Sequence, residues 1–279
     1  MTARPDPSQA LAARAVARGR TWRPGLRNIG RTAVTIAGLL LLWQTVVWAT
    51  GVAPYILPAP RVVANAWLER PDYLLTNAAV TAAEMLLGLL FGGALGVASA
   101  ILIATLAPAR RWLLPVLVIS QAIPVFALAP ILMLWFGYGM ASKVVMATLL
   151  IYFPVTAAFL DGLRRTEPGW LDLAQVMTQD RWAVIRHVRI PAALPALASG
   201  IRVATAMAAI GAVVGEWVGS GAGLGFVMLH ANGRAQTDLM FAALATLAAL
   251  ALVTYYSVDW GLRRALPWTP DSPLDDARF

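Results

Sequence analysis

Two carboxylates stand where an apolar chain has least reason to keep them, Glu84 and Glu216. Each lies within a long run of Ala, Val, Leu and Gly. Burying a charge in hydrocarbon is costly, so each acid needs a protein partner or water. Such a pair can line a polar path, relay a proton, or bond a neighbouring helix for packing. Their surroundings point both inward. Gly88, Gly92 and Gly96 follow Glu84 at intervals of four, and Ala204, Ala208 and Ala212 lead to Glu216 in the same way, with Ser220 beyond. On a helix, each set forms one small-residue face that permits close packing. A third acid, Asp161, sits near Arg164 and Arg165 and reads as interfacial.

Other chemistry is poorly represented. The chain has no cysteine, and its histidines are His187 and His230, without an HExxH pattern. No metal site is expected. Ser220 lacks the GxSxG spacing because position 218 is Val218. No catalytic residue is expected, and an enzyme is excluded. Around the acids, Gln121 and Pro124 mark a helix that Pro124 and Pro130 should bend, freeing backbone carbonyls. With Trp217 beside Glu216, these residues complete the expected substrate pathway: Glu84, Gln121, Pro124, Glu216 and Trp217. No Lys or Arg lies deep in an apolar run, which tilts the cargo toward neutral or cationic molecules. The GSGAGLG segment from Gly219 to Gly225 reads as a flexible outer turn; no Lys–Ser/Thr pair follows to make it a phosphate loop.

Positioning these residues falls to membrane-spanning helices. Hydrophobic residues make up 59% of the 279, charged ones only 13%, and mean hydropathy is +0.68. A soluble domain carries about 25% charged residues. Apolar runs of roughly 20 residues mark spans. They are expected at 32–53, 80–106, 112–136 (with Pro115, Pro124 and Pro130), 143–163 (with Pro154), 196–218 and 239–262. The fold class is therefore an all-α integral membrane protein with six transmembrane helices. Six spans put both termini on one side. With that side cytoplasmic, its segments hold 17 Lys and Arg, against Arg61, Arg70, Lys143 and Arg234 outside. This bias puts both termini in the cytoplasm. It also explains the net charge of +8 as topology, with no nucleic-acid partner implied. Residues 1–31 form a basic tail, expected to be disordered and near anionic lipid. Residues 32–268 form the membrane domain, and 269–279 a C-terminal tail. No internal repeat is evident.

One wet stretch interrupts the membrane domain, residues 164–195. Within it Leu171, Leu173, Val176, Trp182, Ile185 and Val188 are apolar at spacings mostly of three or four. That suits a helix, or two short ones, along a surface. Pro191 and Pro195 mark the return to the membrane.

Here the sequence resembles the membrane subunit of bacterial ATP-binding-cassette importers. That family carries a signature of EAA, three residues, Gly, nine residues, then Ile-x-Leu-Pro. On this chain it falls on Asp172-Leu173-Ala174, Thr178 and Val188-Arg189-Ile190-Pro191, without a gap. Asp replaces Glu, Leu replaces the first Ala, and Thr178 replaces the Gly. The resemblance runs from about Thr50 to Trp268 and is closest to the nitrate, sulfonate and taurine group. LPAPRVV at 57–63, AIPVFALAPILMLWFGYGMASK at 122–143 and GLGF at 223–226 carry it. TAAEMLLGLLFGGALG at 81–96, IGAVVGEWVGSGAGLGF at 210–226 and LRRALPW at 262–268 look most like permeases for the thiamine pyrimidine precursor.

The resemblance implies a type I importer permease of the inner membrane, working as a homodimer with its path along the dimer axis. It implies a coupling helix, roughly Leu171 to Trp182, docked on cytoplasmic ATPase subunits. Leu171, Asp172, Ala174, Thr178, Asp180, Arg181, Trp182 and Pro191 would make that contact. ATP would be used by those subunits, with no cofactor bound here. A soluble binding protein would deliver the cargo, a pyrimidine precursor or similar heterocycle. Sulfonate, taurine or nitrate is the alternative cargo. A proton-coupled secondary transporter, using Glu84 or Glu216 as relay, is the alternative class.

Overall fold

The computed structural model of the protein describes residues 26–178 and 180–268. Regular structure among them is entirely helical. Residues 1–25 of the basic tail and the C-terminal tail 269–279 lie outside the described residues. Helix α1, Leu26–Thr50, begins inside the expected tail and before the expected span start at Thr32. Its Thr45 and Thr50 hydroxyls donate back to the Leu41 and Val46 carbonyls, so neither polar group is left open in an apolar helix.

The second unit begins at Ala53. Its helices are α2 Pro60–Glu69, α3 Pro71–Thr105, α4 Ala107–Ala122, α5 Val125–Phe136, α6 Met140–Arg164 and α7 Pro168–Met177. Then come α8 Arg181–Val184, a π-helical turn at Ile185–Arg189, α9 Ile190–Gly219, α10 Leu224–Gly233 and α11 Thr237–Ala265. Proline stands in the first turn of α2, α3, α4 and α7, where its missing N–H costs nothing. Among the described residues, four helical runs are long and apolar enough to cross a membrane: α3, α6, α8 through α9, and α11. A fifth results if α4 and α5 count as one broken span.

The bend expected at Pro124 within the span 112–136 is present, and it divides that stretch into two helices. The chain turns by 104° between α4 and α5. Ile123, before Pro124, is extended (φ −88°, ψ 118°), as the pyrrolidine ring demands of its predecessor. Pro115 and Pro130 stay within their helices.

The core lies where α6 runs between α3 and α9. Half of the apolar window of α6 and of the α8–α9 run is buried, against 28% for α3 and 22% for α11. The glycine stripe explains the approach on one side. A Cβ on Gly88 would lie 2.6 Å from Ala147 Cβ, on Gly92 2.7 Å from Ile151, and on Gly96 2.9 Å from Val155. On the other side, a Cβ on Gly211 would lie 2.8 Å from the Ala147 Cα. Ala204, Ala208 and Ala212 join Met85, Ala147, Ile151 and Val155 in one buried cluster.

The π turn has a local cause. Pro191 has no N–H to return to residue 187, so the ladder slips by one residue and the Ile190 N–H bonds the Ile185 carbonyl. The helix therefore runs on from Arg181 to Gly219 without a break.

Candidate functional site

Asn77, Thr81 and Glu84 extend the glycine stripe of α3 upward on the same face, and all three are buried. They meet Lys143 from the first turn of α6 and Glu216 from the last turn of α9. Lys143 Nζ donates to Glu84 Oε1 at 2.8 Å. Thr81 Oγ1 donates to Glu216 Oε1 at 2.6 Å, and the Gly225 N–H donates to Glu216 Oε2. Asn77 Oδ1 takes the Gly223 N–H at 2.7 Å, and Thr81 Oγ1 takes the Leu224 N–H at 2.9 Å. The carboxyls of Glu84 and Glu216 are neighbours. Exposure is 0% for Glu84, 1% for Glu216 and 5% for Lys143.

This knot corrects two expectations. Lys143 was assigned to the outer loop, with no countercharge for the acids. It is instead a buried cation held by Glu84, because the first turn of α6 is packed inside the bundle. The 219–225 segment was expected to be a flexible turn. It is pinned by three hydrogen bonds from the knot, and α10 starts at Leu224. Gly223 adopts φ +113°, and any Cβ there would collide with the Glu216 carboxylate, so only glycine fits. Glu84 Oε2 and Thr148 Oγ1 are the buried side-chain oxygens here without a partner among the described residues.

The other expected pathway residues lie elsewhere. Gln121 and Pro124 are exposed at the α4–α5 break, and neither shares a hydrogen bond with the acids among the described residues. Trp217 is partly exposed on α9. Val203, Met207, Ile210 and Trp217 are its exposed face, opposite the buried alanines. Asp161 is exposed at the end of α6. No group of three or more possible metal ligands occurs among the described residues.

The 164–195 loop is built the opposite way. Its base is closed by Arg189, whose guanidinium donates twice to the Leu163 carbonyl, at 3.2 and 2.7 Å. That carbonyl belongs to the last turn of α6, where a cation is favoured. Thr166 Oγ1 shares it at 3.3 Å. Helix α7 then stands out, with only Ala174 buried. Trp170, Leu173, Val176 and Met177 project from it exposed, Val176 at 87%. Trp170 is held by its indole N–H on Glu167 Oε2. Thr178 is extended (φ −155°, ψ 144°), a conformation open to threonine, so the glycine of the family signature is not required here. Asp180 caps the next helix, accepting the Trp182 N–H at 2.8 Å, and Trp182 is exposed. Of the other residues expected in this contact, Leu171 is half-buried, and Asp172, Arg181 and Pro191 are exposed. Arg189 was missed by sequence reading. A lone arginine 26 residues from its acceptor gives no local signal.

Residues 88–266 match the family described as binding-protein-dependent transport system inner membrane component. A probable ABC transporter permease protein from Haemophilus influenzae is 53% identical over 226 residues, 81% of this chain and 92% of that protein. A riboflavin transport system permease from Chloroflexus aurantiacus is 38% identical, over 80% of this chain and 84% of its own. A formylaminopyrimidine transport permease from Halalkalibacterium halodurans is 32% identical, over 82% and 92%. Among solved structures, a chain of the MetNI methionine ABC transporter in inward-facing conformations superposes with a TM-score of 0.61. It is 19% identical, over 70% of this chain and 98% of its own. That last likeness speaks to fold alone.

Proposed function

The chain belongs to the family of binding-protein-dependent transport system inner membrane components, a multi-pass ABC importer permease and not an enzyme, and from this we propose how it is driven and what it carries. The exposed loop docks on a cytoplasmic ATPase. The carrying observation is a row of exposed apolar side chains, Trp170, Leu173, Val176, Met177 and Trp182, on a base fixed by Arg189. An exposed apolar patch on an ordered scaffold is the usual form of a protein interface. Leu171, Asp172, Ala174, Thr178, Asp180, Arg181 and Pro191 frame it. ATP is used by that partner, and the permease holds no nucleotide.

The remaining reading follows the same family. Six spans, α1 and the α4–α5 pair included, leave both termini in the cytoplasm of the inner membrane, as the Lys and Arg bias requires. Two copies share one path. The outward faces of Trp217, Gln121 and Pro124 suit a path completed by a second copy. A soluble binding protein delivers the cargo. The cargo is a small nitrogen heterocycle such as a thiamine pyrimidine precursor. The names of the formylaminopyrimidine and riboflavin relatives support this, and the charge argument from Glu84 does not, because Lys143 balances that acid. Sulfonate or taurine permeases, 28% identical, support the alternative cargo. The proton-coupled class draws no support from the family.

The test is uptake and ATPase co-purification with Asp172→Lys and Trp182→Ala. Both should uncouple transport and leave membrane insertion intact. Transport unaffected by both changes would remove the docking claim. Radiolabelled pyrimidine and taurine, offered to the partner binding protein, separate the two cargoes.

A further inference from the structure

Away from both regions, a cleft of about 340 Å³ opens between the α2–α3 junction and the α10–α11 turn. That is within the range of small-ligand sites. Arg70, Tyr73, His230 and Arg234 line it above an apolar floor of Val227 and Leu239. No carboxylate lines it. Among the described residues, neither guanidinium has an ion-pair or side-chain hydrogen-bond partner. Both arginines are exposed at the mouth of one cleft although they lie far apart in the chain.

The backbone holds them there. Arg70 is the one residue between α2 and α3. Arg234 sits in a turn whose N–H groups are all taken: its own by His230 and Ala231, that of Ala235 by Asn232, and that of Gln236 by Ala231. Ala235 adopts φ 54°, a left-handed conformation that a non-glycine residue rarely takes. His230 is fixed by the Phe226 carbonyl, 3.2 Å from Nδ1, and by the Phe226 ring at 4.0 Å. This is a strained turn that fixes the backbone of Arg234, which lines the cleft together with Arg70. Guanidinium forks match the oxygens of phosphate or sulfonate groups two at a time.

We propose that this cleft is an oxyanion site, taking a phosphate- or sulfonate-type group with a small apolar body on the Val227 and Leu239 floor. Its source is either a lipid headgroup or a soluble anion. The site stands apart from the docking loop, and its test needs neither the ATPase nor the cargo.

The full-length permease is placed in phosphatidylcholine nanodiscs, and thermal unfolding is followed while inorganic phosphate replaces chloride at constant ionic strength. A saturable rise in melting temperature is expected. Arg70→Gln and Arg234→Gln should each weaken the apparent affinity about tenfold. Arg234→Lys, which keeps the charge and loses the fork, should fall between. Arg61→Gln should behave as wild type, and all variants should melt alike without phosphate. In a second arm, protein extracted from mixed phosphatidylcholine and phosphatidylglycerol membranes is examined by native mass spectrometry. Phosphatidylglycerol retained by wild type and lost from the Arg70→Gln, Arg234→Gln double variant assigns a headgroup. A phosphate response assigns a soluble anion. Equal behaviour of wild type and double variant in both arms overturns the proposal. So does a dependence on the two arginines seen only when an acidic delivery protein is added.

Discussion

The knot and the loop each break the ordinary rule of burial, in opposite directions. Inside the bundle, Glu84, Lys143 and Glu216 are polar groups where apolar ones belong. Outside it, Trp170, Leu173, Val176, Met177 and Trp182 are apolar groups left exposed on a loop. The knot balances most of its anomaly within the chain, through an ion pair and the bonds to Thr81, Asn77, Gly223 and Gly225. The loop does not: its polar atoms are capped, and its apolar surface is left over. An internally satisfied anomaly holds a chain together. A leftover one awaits another molecule.

Substitutions should separate the two by what they damage. Lys143→Ala strands the buried Glu84 carboxylate and should cost about 3–5 kcal/mol of stability, read by unfolding of the purified protein. The pair Lys143→Met with Glu84→Leu should recover most of that loss; a double variant as unstable as the single would deny the ion pair its role. Trp182→Ala should do the reverse. Its melting should match wild type, while affinity for the ATPase should fall by about 2 kcal/mol or more, measured by pull-down titration. Asn77→Ala leaves the Gly223 N–H unpaired and should cost about 1–3 kcal/mol, with faster hydrogen exchange confined to 220–225. Asp180→Ala is the smallest change, about 0.5–2 kcal/mol from the lost cap, and its trace should be exchange at 181–183 with the knot untouched. Exchange spreading into the knot from Asp180→Ala would mean that the two regions are not separate.

Sequence alone made parts of this legible. The glycine stripe was readable because small residues at intervals of four leave one face of a helix bare, and Gly88, Gly92 and Gly96 do meet Ala147, Ile151 and Val155. A helix, or two short ones, within 164–195 was readable from the spacing, but the break at Thr178 inside the expected 171–182 helix was not. Lys143 was not, because its partner lies 59 residues away and its position at the head of an apolar run looked like a loop. A cue was present: Asn77, Thr81 and Glu84 continue the face of the glycine stripe, so a polar surface had to meet α3 from another helix. The bend at Pro124 was legible, but its size of 104° was not. Pro115, Pro124 and Pro130 look alike in sequence, and packing decides which of them parts the chain.

The unbroken run from Arg181 to Gly219 spans 39 residues, about 58 Å at 1.5 Å per residue. One end is capped by Asp180 beside the exposed tryptophan, and the other carries Glu216 and the pinned hairpin. It is a rocker arm. A tilt of about 10° around its middle would swing each end by about 5 Å in opposite senses, given that length. Such a tilt would carry Glu216, and with it the Gly225 N–H that its carboxylate holds.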